Sequence, residues 1–419
     1  MRIENTITIK KHLSAYVLYI FFFCLPFEYL LSTSVGGMLR YIGVIAIIAA
    51  GYDIMQSGKI VLSREAVILI VWLLYGAISC VWCDYFAEWQ RFYMIYARNA
   101  CMLLVISFIK YEYREYLYIL KSYMLGVVAM LLYILLIPGA TGYDTYSGRM
   151  LILTSEGIFD PNYMVAVFLV PLSLCIFRLI SKDEKLINRL LYGLVSIGIF
   201  IASILSGSRG GFLSIIVTVS LVVLINVRSK KLSIAIILFL IAFFASYKYV
   251  LLLLPETMQT RFSLESLTGS LDAGASRVAI WEIALNAIKA NPIIGYGAGV
   301  VRQIILQFGY TKATDCHNTY FELLIEYGIL GSMAFFYLVC SYIRNIFKRK
   351  DWILFTGAVA VLFASFFLGA LTTKFFWGIL ILISIRSNII AEEAVEPRLP
   401  DYKRMYMSKI NEQEETGIY

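Results

Sequence analysis

Apolar runs long enough to cross a bilayer recur from residue 13 to residue 390, and no other feature constrains the fold of this chain as tightly. About 20 consecutive apolar residues span the hydrocarbon core as a helix, because backbone N–H and C=O groups must be paired within the segment there. The residues are 60% hydrophobic and only 15% charged, too little charge to cover a soluble surface for 419 residues. The expected fold class is therefore an all-α polytopic membrane protein. About twelve transmembrane helices are predicted, near 13–31, 35–52, 65–82, 94–109, 117–137, 162–180, 187–205, 211–227, 232–252, 318–343, 352–370 and 372–390. No small-residue cleavage site follows the first run, so it is expected to be retained.

The basic residues orient these spans. They gather at Arg2, Lys10 and Lys11, and in alternate loops at Lys59 and Arg64, at Lys110, Arg114 and Lys121, and at Arg178, Lys182, Lys185 and Arg189. Further groups are Arg228, Lys230 and Lys231, then Arg344, Lys348, Arg349 and Lys350, then the C-terminal tail. Cytoplasmic loops carry such an excess, so both termini are expected in the cytoplasm. The net charge of +8 reads as this bias rather than as a nucleic-acid surface.

Two regions follow: a transmembrane helical domain over 1–390 and a polar cytoplasmic tail over 391–419. Inside the first, 255–317 is the longest non-membrane stretch, and the topology puts it outside the cell. Loops this long are functional or disordered, and this one carries helical patterning. Ile280, Trp281, Ala284, Leu285 and Ile288 predict a helix over Arg277–Lys289, capped by Ser276 and stopped by Asn291-Pro292. Such a helix would lie on the membrane surface or over the bundle. Gly295-Tyr296-Gly297-Ala298-Gly299 has no preceding strand, so it reads as a turn rather than a dinucleotide fingerprint.

Three outward-facing positions carry candidate chemistry. Arg209 lies in Ser206-Gly207-Ser208-Arg209-Gly210-Gly211, between two apolar runs. A guanidinium suits phosphate recognition, and the glycines would let backbone approach a ligand; the plainer reading is a tight turn with a snorkelling arginine. Arg277 opens the predicted loop helix and reads equally as a binding residue or a solvated charge. His317, one of only two histidines, can serve as a neutral base near pH 7 or as a helix-start residue bonded to backbone. Glu322 and Glu326 share a helix face and read as interfacial charges, while Lys289, Arg302 and Lys312 read as ordinary exposed ones. Cys80 and Cys83 lack the second pair a zinc site needs, and Cys316 lacks an evident orienting partner for nucleophilic work.

Taken in order, these segments resemble the O-antigen ligase and O-antigen polymerase superfamily of bacterial envelope enzymes. The resembling stretches are Ser206-Gly207-Ser208-Arg209-Gly210-Gly211-Phe212-Leu213, Ser276-Arg277 leading into Trp281, and Asn291-Pro292-Ile293-Ile294-Gly295-Tyr296-Gly297. A further one is His317-Asn318-Thr319-Tyr320-Phe321-Glu322-Leu323-Leu324-Ile325-Glu326-Tyr327-Gly328, and Asp160-Pro161-Asn162 before a span also fits. The resemblance implies a fold similar to C-type membrane glycosyltransferases, in a bacterial cytoplasmic (inner) membrane with the active site facing outward. It implies a glycan donor on undecaprenyl pyrophosphate, a glycan acceptor, inversion at the anomeric carbon, and neither metal nor other cofactor. Carried to matching positions, Arg209 and Arg277 would bind the donor pyrophosphate and His317 would be the catalytic base. Asp160, Asn162, Ser208, Asn318 and Glu322 would support them.

Nothing here marks a dedicated lipid-core acceptor, which favours a polymerase of lipid-linked repeats, with a chain-length regulator as a further partner. The alternative is a ligase delivering the finished glycan to a lipid core or protein. A flippase or transporter for lipid-linked sugar, or a scaffold of the polysaccharide machinery, would be a different class. A transporter calls for ionisable groups deep in several spans, whereas most charges here sit near span ends.

Overall fold

The computed structural model describes residues 12–28, 30, 37–137, 141–143, 150–154, 157–159, 161–226 and 273–389. The predicted span at 232–252, Asp160, the first part of the long loop and the tail lie outside the described residues. The helices are α1 (Leu13–Cys24), α2 (Met38–Ser57), α3 (Arg64–Ile78), α4 (Phe86–Ser107), α5 (Tyr113–Leu136), α6 (Pro161–Ile180), α7 (Leu186–Leu205) and α8 (Arg209–Asn226). They continue with α9 (Ala273–Ala290), α10 (Val301–Gln307), α11 (Thr319–Lys348), α12 (Trp352–Ala364) and α13 (Lys374–Asn388).

Each predicted run within the described residues carries one of these helices. Seven of them, Met38–Ser57, Arg64–Val81, Tyr113–Leu136, Pro161–Ile180, Leu186–Leu205, Arg209–Asn226 and Thr319–Lys348, are long and apolar enough to cross a membrane. Leu13–Phe27 and Trp352–Ala364 are apolar but shorter. α4 is more polar, with Glu88, Arg91 and Arg98. The expectation of an all-α chain needs one correction. Strands β1 (Thr141–Tyr143), β2 (Met150–Thr154) and β3 (Gly157–Phe159) form a small antiparallel sheet ahead of α6, with Thr141 opposite Ile152 and Leu153 opposite Ile158.

α6 is the most enclosed of these seven and packs against α7, α8 and α12. Pro171 stands inside it, so the carbonyl of Val167 loses its N–H donor. The buried Tyr123 hydroxyl of α5 donates to that carbonyl at 2.5 Å. On the α12 side, Gly357 lets the two backbones meet: a Cβ there would stand 2.8 Å from the Val170 Cα. Ser173 bonds both the Ile353 carbonyl and the Thr356 hydroxyl across the same seam.

α11 is broken at Gly328, where φ is +58° and ψ is −167°. The segment after α9 fills the break. Ile329 and Leu330 donate to the Pro292 and Ile293 carbonyls at 2.8 and 3.2 Å, while Tyr296 and Gly297 donate to Ile325 and Glu326 at 2.9 and 3.0 Å. Gly295, Gly297 and Gly299 all have positive φ, which the turn requires. The glycine-rich stretch is thus a turn, as read from sequence, and its function is to dock the loop onto a kinked span.

Candidate functional site

The Arg209 turn is built by a cap. Ser208 accepts from the Gly211 amide at 2.9 Å, satisfying the first turn of α8, and donates to Asn162 Oδ1 of α6 at 2.6 Å. Both supporting residues are buried, and Arg209, the first residue of α8, is half-buried. The glycines do a different job from the one expected. A Cβ on Gly210 would meet the Phe367 side chain at 2.8 Å, and one on Gly211 would meet Val165 at 2.8 Å. They admit protein neighbours rather than a ligand.

His317 sits just ahead of α11 with φ +51°. Left-handed backbone is uncommon for residues other than glycine, with histidine among the more tolerant types. Its neighbours are fixed from several sides. Asn318 caps α11, accepting from the Tyr320 and Phe321 amides at 3.0 and 3.2 Å. Thr319 donates its hydroxyl to the Leu368 carbonyl and accepts from the Ala370 amide, at 2.7 and 2.9 Å. The Thr319 amide also donates to Ser365 at 3.0 Å. His317 itself is half-buried.

The linker between α12 and α13 joins these two places. Tyr163, next to Asn162, donates to the Gly369 carbonyl at 2.9 Å, and Ala370 bonds Thr319. A path of hydrogen bonds and adjacent residues thus runs from Ser208 through Asn162 and Tyr163 to the linker and on to Thr319. Hydropathy alone marks 352–370 and 372–390 as spans and gives no sign of this role.

Arg277 lies on α9, four residues before Trp281, and is half-buried. The helix begins at Ala273, ahead of the predicted Ser276 cap. Trp281 donates its indole N–H to the Cys316 carbonyl at 3.0 Å, and its ring meets Phe321 edge-on. α9 therefore lies over the bundle. Ile280, Ala284 and Ala287 join Val300, Val301, Ile304, Ile305, Cys316 and Ile325 in a second core. Leu285, read as part of the apolar face, is exposed.

Two sequence expectations change. Arg302 is not an ordinary exposed charge: its Nε and Nη2 bond both carboxylate oxygens of Asp315 at 2.7 and 2.8 Å. Those bonds hold the guanidinium more firmly protonated against the opposing effect of burial. Lys289 and Lys312 are exposed, as expected. Glu322 and Glu326 are not interfacial either, being 4% and 0% exposed. Glu326 accepts from Tyr96 and from the Val301 amide at the start of α10. The Glu322 carboxylate rests on Gly369, where a Cβ would stand 2.4 Å from Oε1. Cys316 is buried, and burial first, then the charges of Glu322, Asp315 and Glu326, push its thiol up, away from nucleophilic character.

Among the described residues no cluster of three or more His, Cys, Asp and Glu side chains could hold a metal ion. What the arrangement offers is cationic and basic. Arg209 opens a buried helix start, Arg277 lies on a helix tied to the His317 loop, and a half-buried imidazole stands at the junction.

Comparison with known proteins bears on the same stretch. Residues 194–336 match a family described as O-antigen ligase, and this segment contains Arg209, Arg277 and His317. A "ComP-specific O-oligosaccharyltransferase" of Acinetobacter baylyi is 25% identical over 227 residues, 52% of this chain and 40% of the relative. A Rickettsia prowazekii protein with the provisional name polysaccharide ligase is 23% identical over 265 residues, 59% of this chain and 62% of the relative. Its Rickettsia felis counterpart, also provisionally named, is 22% identical over 245 residues, 55% and 56% of the two chains. The matches cover less than two thirds of each relative's length.

Proposed function

We propose that this chain, whose residues 194–336 match the O-antigen ligase family, is a membrane glycosyltransferase of that superfamily delivering a lipid-linked glycan to a separate acceptor. The sequence favoured polymerisation of repeats. The relatives carry ligase and oligosaccharyltransferase names, so the ligase alternative now leads. The supporting observation is the path of hydrogen bonds and adjacent residues joining the Arg209 turn to the His317 loop, since this chemistry needs a cationic donor site and a base held together.

In this reading an acceptor hydroxyl attacks the anomeric carbon of the glycan on undecaprenyl pyrophosphate. His317 takes the hydroxyl proton as the new C–O bond forms. The bond to the pyrophosphate breaks with inversion and without a metal ion, and Arg209 and Arg277 stabilise the charge that develops on the leaving group. The site faces outward, with both termini in the cytoplasm.

The test is transfer by purified protein in lipid, given the donor with and without a core-lipid or protein acceptor. A single glycan addition that requires the acceptor is expected. A ladder at repeat-unit spacing from donor alone would return the polymerase to first place. His317→Ala is expected to lower kcat by about 10²–10⁴-fold, the usual range for a lost general base. Arg209→Ala should instead weaken donor binding, seen as a raised donor KM. Normal product from both variants at normal protein levels would sink the enzyme reading.

A further inference from the structure

The Arg302–Asp315 pair has a geometry that surface stability does not explain. Its side chains are 41% and 28% exposed, and ion pairs with that much solvent access add little to the stability of a fold. Yet both guanidinium bonds are short and parallel, a bidentate form that fixes orientation as well as distance. The guanidinium also lies over the Phe92 ring of α4, 5.1 Å from its centroid. Arg302 rides on α10, which is anchored by buried Val301, Ile304 and Ile305 and by the bond from the Val301 amide to Glu326. Asp315 stands two residues before His317, in the stretch that delivers the imidazole with φ +51°. Left-handed backbone is uncommon outside glycine, even at the more tolerant histidine, and it is kept where the surroundings hold it. Asn318 and Thr319 secure the chain after His317, Trp281 holds the carbonyl before it, and the ion pair secures the approach.

We propose that the Arg302–Asp315 pair is a positioning element that holds His317 in place for proton transfer. The inference rests on the glycosyltransferase reading for its role in the reaction and on geometry alone for its effect on His317.

The test uses full-length protein in lipid, with Arg302→Ala, Asp315→Asn, the double variant and Arg302→Lys. A misplacement of about 1 Å can cost about 100-fold, so kcat is expected to fall by about that factor in the first two. The donor KM should stay within about threefold, because donor binding is assigned to other residues. The double variant should be no slower than the worse single one, as for partners in one interaction. Lysine keeps a charged contact but loses the fork, so Arg302→Lys should recover part of the loss.

A second readout needs no turnover. Diethyl pyrocarbonate modifies accessible imidazoles, and the chain has only His12 and His317. Mapped by mass spectrometry, the His317 rate should change by about threefold or more in the Ala and Asn variants and move back with lysine, while His12 stays constant. If Arg302→Ala disturbs folding, Arg302→Lys and Asp315→Asn still decide the matter. An unchanged His317 rate in folded variants, a normal kcat, or a loss confined to KM would each overturn the proposal. If the wild type transfers no glycan to any acceptor, the functional reading fails, and the modification rates still decide whether the pair positions His317.

Discussion

At the residue scale, the arrangement depends on single polar groups that answer a specific vacancy. Pro171 removes a donor from a buried span, and Tyr123 supplies one. Tyr123→Phe should destabilise the protein by about 1–3 kcal/mol, the usual penalty for a buried unsatisfied acceptor. Adding Pro171→Ala restores an N–H to the Val167 carbonyl and should recover most of that loss. Thermal unfolding in detergent of both variants checks the pairing; equal destabilisation of the single and double variants would argue against it. The proline was plain in the sequence, but which hydroxyl would answer it was not, because Tyr123 and Val167 are 44 positions apart. Cys316 gives a pH-dependent prediction. A thiol whose folded pKa is raised stays neutral where a free thiol would ionise, about pH 8.5, so raising pH through that value works against the native state. Maleimide at pH 8 should leave Cys316 unlabelled in native protein and label it on denaturation. Rapid native labelling would mean that the loop at 315–318 opens readily.

At the element scale, the long apolar helices were legible because hydrocarbon length leaves a signal about twenty residues wide. Shorter elements leave no such signal. The three strands ahead of α6 have 3, 5 and 3 residues, and α10 has 7. The break in α11 is readable only as a glycine within an apolar run; its partner segment, Pro292 to Gly297, reads in the sequence as a helix stop at Asn291-Pro292 and a turn at 295–299. Their meeting depends on Gly328. A Cβ there would stand 2.3 Å from the Ile293 carbonyl oxygen, and its φ of +58° strains any other residue. Gly328→Ala should therefore cost about 2–4 kcal/mol, the upper range for a single substitution. Hydrogen exchange locates the damage: the amides of Tyr296, Gly297, Ile329 and Leu330 should lose protection together. Loss of protection spread evenly along α11 would instead point to general unfolding.

At the scale of the whole molecule, the candidate residues were legible as types in order, and their connection was not. Arg209, Arg277 and His317 stood out as polar groups beside apolar runs. Arg302, Tyr163 and the linker between α12 and α13 did not, and Trp281 was legible as part of a helix face but not as the partner of Cys316, because each acts through a partner distant in sequence. The path from Ser208 to Thr319 makes a claim that proximity alone does not establish, since coupling needs its own measurement. Ser208→Ala removes the cap of α8 and its bond to Asn162, and helix-cap losses run about 0.5–2 kcal/mol. Thr319→Val removes the two hydroxyl bonds to the linker and keeps the backbone bond to Ser365. If the linker joins the two ends rigidly, loosening one end already forfeits part of what the other holds. The double variant should then lose less stability than the two singles added, by about 0.5 kcal/mol or more. Independent ends would add within about 0.3–0.5 kcal/mol, and the bundle would then hold the Arg209 turn and the His317 loop separately.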